Sequence, residues 1–411
     1  MKNVIPFCLP FIDKDVIDEV NDTLTNTGWL TTGPKVKSLE EEIKKLTKSE
    51  ATLCVNSWTS GAMLILKWFG VGIGDEVIIP AYTYSATALA VLNLGATPIM
   101  IDVKKDSYLI DVDKIREKIT EKTKVIMPVD LAGMPCDYDS IFSIVNDEKI
   151  KSNFHPNSER QKKLGRILIL ADAAHSLGAV YKGIEVGRVA DITVFSLHSV
   201  KNITTGEGGA ICLNLPKPFH NDEEYTFLKS FSLNGQSKSA FEKNQPGSWK
   251  YDIIDQGLKV NMPDICAAIG LAQIKKYSSI LLPIRKSIYN FYQQYFSKFD
   301  WAICPQNIDQ NTESSCHLYL LRIKGISESI RDNMILEISK EGIGVNVHYI
   351  PMAMMTLFKN LKYNIDDYPN TYQQYCNTIS LPIYNGLSSE QLNRVANAVI
   401  NAYNHSKLKE L

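Results

Sequence analysis

Lys201 stands inside "VFSLHSVKNITTGEGGAI", residues 194–211, between an apolar strand-like run and a glycine-rich return. A lysine drawn out of water either pairs with an anion or gives up its proton and becomes a nucleophile. Asp172 lies 201 − 172 = 29 residues earlier, just past the apolar run 167–170. An acid at a buried strand end needs a cationic or hydrogen-bonding partner. His175 follows three residues on. A third group, Asn56, Ser57, Thr59 and Ser60 in "VNSWTSGAMLIL", falls between a strand-like and a helix-like run. Free amides at a helix N-terminus, together with hydroxyls, receive a phosphate well. Each group alone also has a plainer reading: a helix N-cap for Asp172 and for 56–60, a core ring for His175.

Their joint order is more specific. A lysine that forms a Schiff base, a carboxylate that keeps a ring nitrogen protonated, and a phosphate cradle are the contacts pyridoxal 5'-phosphate requires.

These groups must be carried by elements that bring them together. Short apolar runs recur at 51–55, 76–80, 97–103, 124–130, 166–174 and 192–197, with helical patterns between most of them. That alternation predicts an α/β domain on a largely parallel sheet, with ligands at the carboxyl ends of the strands. "SLEEEIKKL" predicts a helix opening on a capping box, Ser38 with Glu41, with Leu39, Ile43 and Leu46 on one face. The texture changes near residue 260. "NMPDICAAIGLAQIKKY" begins a helix, apolar segments follow at 316–323 and 343–350, and a last helix opens on Ser388/Gln391 with Leu392, Val395, Val399 and Tyr403 aligned. The expected division is a large cofactor domain, 1–260, and a smaller α+β domain, 261–411.

Bulk properties narrow the function classes. A net charge of −1 over 411 residues gives no footprint for nucleic acid or an anionic membrane. The eight cysteines show no CxxC spacing, which argues against a zinc site and for thiols in a reducing, cytoplasmic setting. The N-terminus is short, apolar and broken by Pro6 and Pro10, unlike a signal peptide. Residues 77–101 carry no charge, but Pro80, Tyr82, Asn93, Gly95 and Pro98 predict strand, loop, helix and strand rather than a membrane span. No G-x-G-x-x-G follows a strand at a suitable place, which disfavours a dinucleotide-binding oxidoreductase. The basic stretch 146–166 interrupts the alternation and reads as a solvated excursion, with contact to an anionic substrate as the minor alternative.

The chain resembles the DegT/DnrJ/EryC1/StrS family of pyridoxal-phosphate sugar aminotransferases over nearly its whole length. The motifs are "GWLTTGPKVKSLEEE" (28–42), "GDEVIIPAYTYSATALAVLNLGATPIMIDV" (74–103), "ADAAHSLGA" (171–179), "FSLHSVKNITTGEGGAI" (195–211), "GLKVNMPDICAAIGLAQ" (257–273) and "ISLPIY" (379–384). Ser-x-His-x-x-Lys leading into Gly-Glu-Gly-Gly is the most specific of them. The resemblance implies a type I aspartate-aminotransferase-like fold and a homodimer with shared active sites. It also implies an amino-acid donor, L-glutamate, and a nucleotide-sugar acceptor for surface polysaccharide or related amino-sugar biosynthesis.

By motif, Lys201 is the Schiff-base lysine and Asp172 the partner of the pyridine nitrogen. Thr59, Ser60 and Ser196 take the phosphate, and His175 lies near the phenolic oxygen. Tyr84 falls where the family stacks an aromatic ring on the cofactor, with a core tyrosine as the rival reading. His198 is given no chemical role. Trp29, Thr31, His348 and Tyr349 are candidates for the substrate cleft, or for packing. Many members carry Asn-x-Arg where this chain has Lys259 and Asn261. A lysine there can hold a phosphate as a point charge, across the dimer. "HYIPMAMM" (348–355) departs from the family's His-rich run. A sugar dehydratase on the same fold is the alternative, although such members replace the lysine with histidine. A non-enzymatic regulator is a further one, opposed by the intact Lys201/Asp172 pair.

Overall fold

The computed structural model describes residues 4–310 and 312–408, with side chains through 406. Seven strands make the central sheet: β1 (Ala51–Val55), β2 (Glu76–Pro80), β3 (Thr97–Ile101), β4 (Thr123–Ile126), β5 (Leu168–Asp172), β6 (Ile192–Ser196) and β7 (Gly209–Leu213). Their order is β1-β7-β6-β5-β4-β2-β3. From β3 to β6 all neighbours are parallel. β7 runs antiparallel to both β6 and β1. Six of the strands fall in the expected apolar runs; β7, from the glycine-rich return after Lys201, is the addition. Nearly every strand residue is buried, as expected of strands covered by helices on both faces.

The helices that matter for the site are α1 (Lys14–Asp22), α2 (Pro34–Thr47), α3 (Trp58–Phe69), α4 (Ala86–Leu92), α5 (Asp264–Ile274), α6 (Leu282–Phe296), α7 (Glu328–Lys340) and α8 (Ser389–Leu408). α3 lies close on the sheet because it carries Gly61. A Cβ there would meet Val194 Cγ1 at 3.0 Å and Val55 Cγ2 at 3.2 Å. The uncharged run 77–101 resolves into β2, a loop, α4 and β3, as its prolines and polar residues predicted. Among the described residues no single helix is long and apolar enough to cross a membrane; one bent pair passes on length and composition.

α2 starts earlier than the capping box Ser38/Glu41 predicted. Pro34 occupies its first turn and Gly33 its N-cap, with no side-chain cap from its own segment. The cap comes from Asp264. Its Oδ1 accepts from Gly33 N–H and Val36 N–H, both at 2.9 Å, and its Oδ2 from Lys35 N–H at 3.1 Å. Ser38 is left exposed inside the helix. The predicted box before α8 is present: Ser388 N–H donates to Gln391 Oε1 (2.9 Å) and Gln391 N–H to Ser388 Oγ (3.1 Å).

The stretch 146–166 is largely at the surface, as expected of an excursion, but it is not structureless. It folds into two short helices, Glu148–Ser152 and Glu159–Leu164, and Gln161 is fully buried. The Arg160 guanidinium lies over Phe227 at 4.1 Å, and Arg166 makes a buried two-armed bridge to Asp191 at 2.7 Å. Arg160 and Lys163 share Glu224 and lie over aromatic faces, and Lys151 and Lys162 pair with Glu148 and Glu159, a use of charge that composition alone does not reveal.

Two main cores result. The first spans the central sheet and continues through α5 to Leu281 and Leu282. The second gathers α6, α7, α8 and a three-stranded antiparallel sheet, β8 (Ala302–Ile303), β9 (Tyr319–Ile323) and β10 (Thr378–Leu381). Ile5 belongs to this second core, held by Ile5 N–H to Gly342 O (2.9 Å) and Gly344 N–H to Ile5 O (2.8 Å).

Candidate active site

β5 and β6 are parallel neighbours in the register Asp172↔Val194. Asp172 closes β5, Ser196 closes β6, and Lys201 lies on the turn after it. β1 ends at Val55, and Ser57 caps α3 by accepting from Ser60 N–H at 3.0 Å. Ser57 and Ser60 hydroxyls are 2.9 Å apart. Gly209 makes this approach possible: a Cβ on it would lie 2.8 Å from Ser57 C and O. Asn56 Oδ1 and Trp58 Nε1 beside the cradle are enclosed and without a hydrogen-bond partner.

Lys201 is half-buried, and burial brings its pKa down to about 8, with Asp172 and Cys8 pulling the other way. It makes no ion pair with Asp172 within 4.0 Å, so a sizeable fraction is neutral amine at mildly alkaline pH. Asp172 is buried, and burial raises its carboxyl to about 7. Thr87 Oγ1 donates to its Oδ2 (2.8 Å) and Ala174 N–H to its Oδ1 (3.2 Å), both opposing that rise. An acid and an amine, each desolvated toward its neutral form, face a common space and lack a shared proton.

Three imidazoles surround this pair. Ala132 N–H donates to His175 Nδ1 at 3.2 Å. Burial, then Lys201 and His348, keep His175 far below the usual histidine range. The neutral ring therefore carries its proton on Nε2, 3.1 Å from Tyr349 Oη. The Tyr349 hydroxyl proton is thus left to donate into the site. His317 lies against His175 with ring centroids 4.3 Å apart, and its Nδ1 is 2.8 Å from Asn202 Oδ1. His348 Nδ1 is 2.9 Å from Ser380 Oγ, and burial brings this ring to about 3. Tyr84 is exposed and its ring leans on Tyr349 at 5.6 Å.

The remaining candidates gather elsewhere. Thr31 and Lys259 line a separate cleft with Thr32, Lys238, Ser239 and Lys243. Lys259 Nζ bonds Asn261 Oδ1, and burial, then Lys243, lower its pKa. Trp29 stands half-buried nearby, its Nε1–H donating to Thr32 O at 2.9 Å and its ring edge-on to Phe241. His317 and Asn202 were not singled out from sequence. His317 opens an apolar run just as Asp172 ends one, which was the available signal.

The pocket around Lys201 asks for one ligand: a flat ring whose nitrogen meets a buried carboxylate, an aldehyde within reach of an amine, and a phosphate on hydroxyls and helix amides. Those are the demands of a pyridoxal-phosphate enzyme, and the donor set present fits that group. The sequence profile of the DegT/DnrJ/EryC1/StrS aminotransferase family matches residues 10–153 and 159–400. The chain belongs to this family and is a pyridoxal-phosphate-dependent aminotransferase.

Among solved structures it is similar to Spr1654 of Streptococcus pneumoniae, a proposed sugar aminotransferase. In the PMP form of that protein the identity is 42%, covering 98% of this chain and 100% of the other, with a TM-score of 0.93. Among curated proteins it is 34% identical to the spore coat polysaccharide biosynthesis protein SpsC of Bacillus subtilis, covering 96% of both chains. It is 32% identical to the UDP-4-amino-4-deoxy-L-arabinose–oxoglutarate aminotransferase of Shewanella sediminis, covering 96% of this chain and 97% of the other.

Proposed function

We propose that this protein moves an amino group from L-glutamate to a keto group on a nucleotide-linked sugar, within a homodimer whose two copies share each site. The observation that carries the chemistry is the half-buried Lys201, near pKa 8, beside a carboxyl that burial raises to about 7. Bound pyridoxal phosphate supplies the electron sink for charge left on the donor's Cα.

The chain's own residues do the rest. Lys201 Nζ takes the proton from the donor's Cα and returns it on the other side of the exchange, a role suited to an amine whose pKa lies near working pH. Asp172 offers its carboxylate to the ring N–H, and Thr87 and Ala174 N–H keep it aimed. Thr59, Ser60, Ser196 and the α3 amides receive the phosphate. Tyr349, with His175 fixing its oxygen, donates a hydrogen bond into the site. Tyr84, at the open edge, stacks on the ring, and His348 flanks the substrate.

The acceptor class rests on relatives named for sugar amination and polysaccharide synthesis. The donor rests on the oxoglutarate in one such name, the keto acid that glutamate leaves behind. The second copy rests on surface chemistry. Trp249 (70% exposed), Tyr251, Ile253, Ile254 and Phe241 stand out on one stretch, and Ile12, Ile17, Leu24 and Leu30 on another. Exposed apolar surface on this scale marks an interface. It also explains why Thr31 and Lys259 line their own cleft: they serve the partner's site. A cytoplasmic location fits eight unpaired cysteines.

The test is spectroscopic. Adding pyridoxal phosphate should give the visible absorbance of the lysine adduct, L-glutamate should bleach it, and a keto nucleotide sugar should restore it. A panel of 3-keto and 4-keto sugars then identifies the acceptor. A Lys201→Ala protein that still turns over, or a band that no amino acid bleaches, rejects the reading.

A further inference from the structure

Asn202 directly follows Lys201 and is 7% exposed. Its amide is fully engaged. Nδ2 donates to Tyr277 Oη and to Ser315 O, both at 3.0 Å, and Oδ1 lies 2.8 Å from His317 Nδ1. A carbonyl can only accept, so the amide nitrogen must be the atom that faces Ser315. Tyr277 gives its one hydroxyl proton to Leu177 O at 2.6 Å and accepts from Asn202. The amide oxygen therefore faces His317, and the ring nitrogen opposite it must donate. Burial, then His175 and Lys201, hold His317 far below the usual histidine range, so the ring has one proton. That proton is on Nδ1, which leaves a lone pair on Nε2. The neighbouring His175 is the reverse, accepting on Nδ1 and protonated on Nε2.

The segment that receives Asn202 is distant in sequence. Residues 315–317 lead into β9, and Cys316 belongs to the second core. The same three residues reach the loops after three neighbouring strands. After β4, Ser315 N–H donates to Gly133 O and His317 N–H to Ala132 O, both at 3.1 Å. After β5, Ser315 Oγ donates to His175 O at 2.5 Å. After β6, the contact is Asn202. Ala132 (φ 59°) and Cys316 (φ 53°) both hold left-handed backbone, which persists only where surrounding contacts impose it. A strap from the second core thus seats the turns that carry His175 and Lys201.

We infer that Asn202 is a positioning residue for Lys201: its amide pins the turn of the reactive amine to the strap 315–317 and fixes which nitrogen of His317 holds the proton. This rests on the role given to Lys201 above and adds the residue that keeps it in place. Lys201 Nζ has to serve first as the cofactor's anchor and then as the proton carrier. Its side chain must move between those tasks while its backbone stays, so that each reacting atom is met at bonding distance.

The experiment compares wild type, Asn202→Ala and Asn202→Asp. Asn202→Asp keeps the size and an oxygen toward His317 but loses both N–H donors. Added to cofactor-free protein, pyridoxal phosphate reads the amine through the rate at which the visible band appears. Pyridoxine phosphate, which has no aldehyde, reads the cofactor cradle alone by calorimetry. Capture should slow about 10- to 100-fold in both variants, the cost of misplacing a reacting atom by about 1 Å. Pyridoxine phosphate binding should be unchanged. L-glutamate should bleach the band completely but more slowly, whereas a loosened fold would leave part of it unbleached. In cofactor-free protein isotope-labelled at the histidine nitrogens, His317, assigned through His317→Gln, should carry its proton on Nδ1 in wild type and lose that preference in Asn202→Ala.

Capture at the wild-type rate in both variants overturns the inference, as does a His317 protonated on Nε2 in wild type. An equal fall in capture and in pyridoxine phosphate binding overturns it too, because Asn202 then supports the fold alone. Failure of both variants to fold has the same meaning. If Lys201→Ala forms the same band with pyridoxal phosphate, the reading of Lys201 itself fails, whatever Asn202 does, and this inference goes with it.

Discussion

Two regions of this molecule gather lysines, and they treat charge in opposite ways. The Lys201 pocket withdraws its groups from water. The amine there is brought down to about 8, the acid up to about 7, and three histidines are held neutral. The cleft of Lys238, Lys243 and Lys259 keeps its ammonium groups near solvent, steadied by light contacts such as Lys243 Nζ to Gln236 Oε1 at 2.7 Å. Chemistry on a proton needs groups whose two forms are close in energy, and desolvation supplies that. Holding an anion needs only a lasting charge, and water can share it. On the function proposed above, burial alone separates a reactive lysine from a gripping one.

The sharpest way to break the contrast is Lys201→Ala. Loss of both the covalent anchor and the proton carrier should cut turnover by at least about 10²–10⁴-fold at every salt concentration. Steady-state rates across a salt series check this.

Next in size is a stability effect of Asp172. Its folded pKa, about 7, lies above the usual value for Asp, 3.8. The folded state then binds more protons than the unfolded state between those values, so the group's contribution to stability falls as pH rises from about 4 to 7. In cofactor-free protein, Asp172→Asn should remove that fall. It should make the variant more stable above pH 7, by at most about 4 kcal/mol, and equal near pH 4. Denaturant titrations at stepped pH measure it, and the same variant should lose turnover once cofactor is supplied.

Smaller is the effect of Lys259→Ala, about a tenfold rise in KM for the nucleotide sugar with kcat nearly kept. That penalty should shrink as salt rises, because an exposed charge is screened. Mixing Lys201→Ala and Lys259→Ala proteins should restore activity if the cleft serves the partner's site. No recovery would confine both lysines to one chain's own site. Smallest is Lys243→Ala, a few-fold at low salt and nothing at high salt, read as the salt slope of KM.

The pocket was more legible in the sequence than the cleft, for a physical reason. Lys201 and Asp172 sit at the ends of apolar strands, and strand order carries their meeting. Thr59 and Ser60 ride on a strand-to-helix junction in the same way. His317 announces nothing locally: it meets His175 only through packing between distant segments. The start of α2 was misread for the same cause. Ser38 and Glu41 have the right spacing, yet the amides at 33–36 are taken by Asp264, which no local window contains. The last helix was read correctly because Ser388 and Gln391 complete each other within four residues. The stretch 146–166 was legible as surface, but not the aromatic faces that Arg160 and Lys163 cover.

The Asp264 cap also has a consequence in time. It joins Gly33 to a residue 231 positions later. At ordinary synthesis rates of ~5–20 residues per second, the amides of α2 wait roughly 10–50 s on the ribosome before their carboxylate exists. The central sheet strands are all made in that interval, while the helix that leads into β1 still lacks its anchor. The nascent chain therefore emerges with its first long helix unfinished at the start, and the closing of that end belongs among the late events of folding.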